Sequence, residues 1–121
     1  MKRRFRLTGS ADIKRVRRSG KSYAHPLVVL YVLPAERTGA QARDARVCVN
    51  AGWSVGNAVR RNRAKRLLRA AMSPLMPQLV PGSDLLLVAR NPLLRSDANE
   101  AREALTVLLG RAGLLPSSHA N

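Results

Sequence analysis

Apolar positions along this chain change period from segment to segment, and those changes mark out its elements. Residues 27–33 read LVVLYVL, a near-continuous apolar and β-branched run between Pro26 and Pro34. A run of that length bounded by prolines predicts a largely buried strand. Residues 45–51 predict a second strand, antiparallel to the first. Residues 84–90 (DLLLVAR) predict another buried strand, closed by Asn91-Pro92, and residues 21–23 a short additional one. Elsewhere the period is helical. Ser10 can cap a first helix with Asp12 in its opening turn and Gly20 at its end. On that helix Ile13 and Val16 face inward, with Ala11 or Arg17 beside them, and Lys14, Arg15 and Arg18 face out. A second helix over 57–72 follows the turn Val55-Gly56-Asn57, and Pro74 and Pro77 stop it. A third opens at Asp97, where Glu100 completes a capping box. Leu105, Leu108, Leu109 and Ala112 form its apolar stripe, and Gly113 ends it.

The resulting order is α-β-β-β-α-β-α. A strand, a helix and a further strand make a crossover unit. The expected class is therefore α+β: a two-layer α/β sandwich with a mixed sheet. At 121 residues the chain reads as one domain, 1–121, with a basic arm at 1–9, a polar loop at 35–43 and a frayed tail at 116–121.

Charge changes the picture. The chain carries 22 Lys+Arg against 7 Asp+Glu, net +15, whereas solubility asks a small domain for only about 2 to 8 charges. Nucleic acid is the leading partner class. The excess concentrates in the second helix, where residues 56–69 read GNAVRRNRAKRLLR. On a helical wheel Ala64, Leu67, Leu68 and Ala71 share one arc. Arg61, Lys65 and Arg69 stack along the opposite side, with Asn62 and Arg66 in the next row. Arg60 breaks the separation at the helix start, where its stem can snorkel. Each like-charge pair at this spacing costs roughly 0.2 to 0.5 kcal/mol. A helix with several such pairs and no acid calls for an external anion, and a phosphate backbone fits.

Other chemistry has little support. A metal nuclease needs clustered carboxylates, but Asp12, Glu36, Asp44 and Asp84 are scattered, and Asp97, Glu100 and Glu103 suit a helix N-terminus. His25 and His119 have no evident partner. Cys48, the single cysteine, rules out an internal disulfide, fits a reducing compartment and reads as a buried structural thiol. No apolar stretch reaches the roughly 18 to 20 residues of a membrane span. A cytoplasmic location is expected, and no membrane partner.

The motif Gly56-Asn57-Ala58-Val59, then Arg61-Asn62-Arg63, Lys65-Arg66 and Arg69, resembles the arginine-rich signature of the bacterial ribonuclease P protein component. The likeness spans nearly the whole chain: Arg6-Leu7, ADIKRVRRSGKS at 11–22, VLYVL at 29–33 and PGSDLLLVAR at 81–90 follow the family's order and spacing. The resemblance implies a left-handed β-α-β crossover around the basic helix, although general rules favour the right-handed form. It implies the protein subunit of an endoribonuclease whose chemistry an RNA performs, with magnesium as a cofactor held through that RNA. Ribonuclease P RNA and precursor tRNA are the implied partners, with one protein per RNA. By position, Arg60, Arg61, Asn62, Arg63, Lys65, Arg66 and Arg69 would contact the catalytic RNA. Ile13, Arg17, Tyr31 and Trp53 would line a cleft between the first helix and the sheet that holds the 5′ leader of precursor tRNA.

Two departures stand out. The family usually has aromatic residues where this chain has Ile13 and Arg17, and a Lys pair where it has Trp53-Ser54. Trp53 then supplies either a replacement stacking surface, with Arg17 adding a cation, or a core residue at the strand end. Tyr31 equally suits a cross-strand packing role. The alternative function is a ribosomal or general structural RNA-binding protein without an enzymatic partner. A DNA-compacting protein shares the charge but not the motif order. A membrane-surface protein would need a longer apolar arc than the second helix has.

Overall fold

The computed structural model describes residues 6–7, 9–34 and 45–115. The polar loop at 35–43, the tail at 116–121, His119, Glu36 and Asp44 lie outside the described residues, as does most of the basic arm. In chain order the elements are α1 (Ser10–Ser19), β1 (Lys21–Ala24), β2 (Val28–Pro34), β3 (Arg46–Ala51), α2 (Ala58–Met72), β4 (Ser83–Ala89) and α3 (Ala98–Arg111), with short 3-10 segments at Trp53–Val55, Ser73–Gln78 and Asn91–Arg95. The expected α-β-β-β-α-β-α order holds.

The four strands form one mixed sheet in the order β1-β2-β4-β3. β2 pairs antiparallel with β1 and β4, while β3 pairs parallel with β4. β3 thus runs antiparallel to β2, as expected, but the two are not paired as a hairpin. β4 lies between them and takes the ladder hydrogen bonds of both. The physical reason is burial. Every residue of β4 except Val88 is buried, and such a strand is best placed in the centre of the sheet.

Alternation sorts the sheet's two faces. Val28, Leu30 and Val32 on β2, Val47, Val49 and Ala51 on β3, and Leu85, Leu87 and Ala89 on β4 join one core. α2 contributes Ala64, Leu68, Ala71 and Met72 to it, and α3 contributes Ala101, Ala104, Leu105, Leu108 and Leu109. Burying a side chain such as Leu68 is worth about 2 kcal/mol. The opposite face carries a smaller cluster of Leu7, Val16 and Leu86, with Ile13, Tyr31, Leu33, Cys48 and Val88 partly buried around it. α1 covers this second face.

Two helix starts show how local chemistry sets the frame. Asp97 and Glu100 form the predicted capping box, with the Glu100 N–H donating to Asp97 Oδ1 at 2.9 Å and the Asp97 N–H donating to Glu100 Oε1 at 3.3 Å. At α1 the expectation of a Ser10 cap fails. Ser10 is already the first helical residue, and Gly9, which has no side chain to cap with, occupies the cap position. The Gly9 carbonyl instead accepts from the Ile13 N–H at 3.0 Å.

Candidate nucleic-acid interface

α2 enters from a turn that glycine makes possible. Gly56 has φ +124, and an added Cβ would sit 2.8 Å from the Arg60 Cδ, against that residue's aliphatic stem. The Asn57 side chain then caps α2 by accepting from the Arg60 N–H at 3.0 Å. These contacts set the rotation of the helix. Ala64, Leu68 and Ala71 are buried and Leu67 packs partly against the core, as the wheel predicts. Arg60, Asn62, Arg63, Arg66 and Arg69 are exposed, and Arg61 and Lys65 are half-buried. No acid lies in α2, and among the described residues no carboxylate forms an ion pair with its cations.

The cations separate onto two flanks. The row Arg61, Lys65 and Arg69 follows β3, the edge strand. Arg61, Asn62 and Lys65 line a cavity of about 280 Å³ with Asn50, Ala51 and Ala58. Arg69 lines a second cavity, of about 470 Å³, with Arg6, Leu7, Ile13 and Cys48. This row therefore leads from the start of α2 to the face under α1. Arg63 and Arg66 point the other way, into a cavity with Leu67, Leu94 and Ser96.

Ile13, Arg17 and Tyr31 come together on the α1 face. Ile13 and Tyr31 pack against the same cluster, and the Arg17 guanidinium lies 5.8 Å from the Tyr31 ring centroid. Tyr31 is thus a partly buried packing residue on the face under α1. Trp53 is elsewhere. It stands beyond the end of β3, is 85% exposed, and has the Arg61 guanidinium 4.4 Å from its ring centroid. It is not a core residue at the strand end. Tyr31 shares a row with Leu86 and Cys48, and Trp53 is five residues past Cys48. At about 3.3 Å per strand residue, Cys48 to Ala51 alone spans roughly 10 Å.

Sequence reasoning missed Asp84. It is fully buried and accepts from Arg15 at 2.8 Å and from Arg46 at 3.1 and 3.2 Å. Arg15 also reaches Asp12 at 3.3 Å, and these bonds, Asp84 first, hold its guanidinium above the ordinary arginine value. Arg15 is half-buried and turned to the sheet instead of facing out as expected. The signal was present: an acid set immediately before LLLV inside a strand must find cations to be buried there. Cys48 needs correction too. It is only half-buried, and burial still pushes its thiol above the usual value, with Arg69 and Lys65 pulling it down. Cys48 packs against the Leu7, Val16 and Leu86 cluster and lines the cavity under α1. The His25 Nδ1 accepts from the Leu27 N–H at 3.1 Å, which gives that ring a role in the turn before β2.

The fold and this surface define a class: a small α+β domain that presents on one helix a set of cations without a carboxylate partner among the described residues. The chain belongs to the ribonuclease P protein family, whose profile, described as Ribonuclease P, matches residues 1–113. It is 38% identical to the ribonuclease P protein component of Shouchella clausii over 121 residues, all of this chain and 96% of that one. It is 35% identical to that of Chloroflexus aurantiacus over 118 residues, 97% of this chain and 84% of the relative. The solved structure of the ribonuclease P protein from Thermotoga maritima superposes with a TM-score of 0.73 at 25% identity, covering 88% of this chain and 96% of that one. That from Staphylococcus aureus gives 0.74 at 23%, covering 93% and 98%, a likeness of fold.

Proposed function

We propose that the α2 cations dock the catalytic RNA of ribonuclease P, and that the face under α1 holds the 5′ leader of precursor tRNA. The family supplies the frame: its members are protein subunits of an endoribonuclease that processes tRNA, with catalysis carried by RNA. That membership displaces the ribosomal alternative. The observation that carries the reading is the Arg61, Lys65 and Arg69 row, which has no carboxylate partner among the described residues and runs along β3 to the cavity that Arg69 shares with Ile13 and Cys48 under α1.

The mechanism for this chain is positional and electrostatic. Guanidinium forks bind phosphate oxygens bidentately. Cations brought between two RNA segments lower the repulsion between their backbones. Asn62, between Arg61 and Arg63 in sequence, adds an amide that both donates and accepts. Among the described residues no three His, Cys, Asp or Glu side chains gather to hold a metal ion, and Asp12 and Asp84 are both engaged by Arg15. These side chains do not fit a magnesium site, so we assign the magnesium of the reaction to the RNA. We further assign one protein to each RNA, in the cytoplasm.

The test is reconstitution with ribonuclease P RNA and precursor tRNA. Wild-type protein should lower the magnesium concentration needed for cleavage, and the Arg61→Ala/Arg63→Ala/Lys65→Ala variant should lose that benefit. Equal magnesium dependence with and without the protein would sink the reading.

A further inference from the structure

We propose that Trp53, Arg61 and the cavity beside them form a subsite for one unpaired RNA nucleotide, the base stacking on the open face of the indole and its ribose-phosphate entering the cavity. The inference rests on the RNA-binding reading of α2 and separates Trp53 from the leader cleft.

Three observations converge on it. First, the ring is exposed yet held. At 85% exposure Trp53 leaves most of its surface to solvent, while the Arg61 guanidinium 4.4 Å from its centroid covers one face. A cation over one face of an indole is an attractive contact that orients the ring. The other face is left for a second flat group.

Second, the backbone beneath it is tied down. Trp53 opens a 3-10 turn in which the Val55 N–H donates to the Gly52 carbonyl and the Gly56 N–H to the Trp53 carbonyl, both at 3.1 Å. Val55 is buried in the main core at 1% exposure. The indole is therefore carried on an anchored turn, which reduces the ordering cost of binding.

Third, the neighbouring cavity has the chemistry of the rest of a nucleotide. Its polar lining is Asn50, Arg61, Asn62 and Lys65, within a volume of about 280 Å³. Two cations suit a phosphate, and two amides suit ribose hydroxyls. Among the described residues no carboxylate lines it. Asn50 holds its own geometry, its Oδ1 accepting from the Ala51 N–H at 2.8 Å. Arg61 belongs both to the ring contact and to the cavity wall, so the stacking surface and the phosphate-binding groups are contiguous.

Trp53 is the only tryptophan in the chain, so its emission reports on this site alone. The full chain is titrated with a single-stranded oligoadenylate and with an abasic oligomer of equal length. The adenylate should quench Trp53 emission, and the abasic strand should bind through its phosphates without quenching. Trp53→Ala should weaken adenylate binding about 5- to 160-fold, the range for loss of one stacked base, while abasic binding and thermal unfolding stay as in wild type. Trp53→Phe should recover part of the loss. In the reconstituted complex, quenching on addition of ribonuclease P RNA alone assigns the base to the catalytic RNA. Quenching that appears only with precursor tRNA, and not with mature tRNA, assigns it to the leader. Unchanged emission with every strand, together with equal adenylate affinity for wild type and Trp53→Ala, overturns the subsite. The docking role of α2 would then still be decided by the cleavage assay.

Discussion

Helices α1 and α2 are both strongly basic, yet their charges have different destinations. α1 carries Lys14, Arg15, Arg17 and Arg18 around a single acid, Asp12. Arg15 turns to the sheet and meets two carboxylates, one of them fully buried. Arg17 lies over Tyr31. α2 carries Arg60, Arg61, Arg63, Lys65, Arg66 and Arg69 with no acid of its own, and none of these cations meets a carboxylate among the described residues. The lesson is that counting cations does not locate a phosphate-binding surface. Locating the acids does, because a paired guanidinium serves the fold and an unpaired one remains available to a ligand.

The largest effect that tests this contrast is on stability. Asp84→Ala removes the buried acceptor shared by Arg15 and Arg46. Breaking a buried pair by removing one partner costs about 3 to 5 kcal/mol, and the side-chain exposures of 40% for Arg15 and 28% for Arg46 put the expectation near the lower end, about 3 kcal/mol. Urea unfolding measures it, and a loss below about 1 kcal/mol would mean that Arg15 is no more structural than the α2 cations.

The α2 counterpart should behave in the opposite way. Arg61→Ala/Arg63→Ala/Lys65→Ala should unfold within about 0.5 kcal/mol of wild type, as surface changes do. Its affinity for ribonuclease P RNA should fall about 100-fold near physiological salt, and the slope of log K against log salt should shrink by about 2 to 3. A large stability loss with an unchanged salt slope would reverse the assignment of the two helices.

A smaller effect is expected at the entry to α2. Gly56→Ala places a Cβ at φ +124 against the Arg60 stem. Strain of this kind costs about 1 to 3 kcal/mol, and the flexible end of Arg60 can yield, so about 1 to 2 kcal/mol is expected. Circular dichroism thermal melts would show it, and RNA affinity should fall more than for a stability-matched core variant.

The smallest effect concerns the floor of the cleft. Burial raises the Cys48 thiol value in the folded state. The thiol is neutral in both states below its unfolded value of about 8.5, so its contribution is fully present at neutral pH. Stability should decline as pH rises beyond that value, because the unfolded chain ionises first. Cys48→Ala should show a shallower alkaline decline in paired urea titrations. Identical profiles would place the thiol in open water.

Much of the fold was legible in the chain itself. Prolines bracket LVVLYVL, the Asp97 and Glu100 pair marks the start of α3, and the wheel of α2 correctly separates Ala64, Leu68 and Ala71 from the cations. These signals are local, arising within one or two turns or one strand. The misread features are non-local. The antiparallel sense of β2 and β3 was legible, but not the insertion of β4 between them, which follows from its burial on both faces. Ser10 looked like a cap on residue type alone, which leaves the conformation of Gly9 out of account. Arg15 looked like an outward cation because its partner is 69 residues away in sequence.

The sequence by itself determined the element order, the charge excess and the basic helix with its apolar back, because helical period, proline placement and composition are written locally. It also determined the family, through the spacing of Asn62 among Arg61, Arg63, Lys65, Arg66 and Arg69. Only the tertiary structure decided which cations meet a carboxylate among the described residues, since pairing depends on residues that the fold brings together. It likewise decided that Trp53 stands in solvent against Arg61, apart from Tyr31. One strand carries Cys48 into the row of Tyr31, and its continuation carries Trp53 past the end of the sheet.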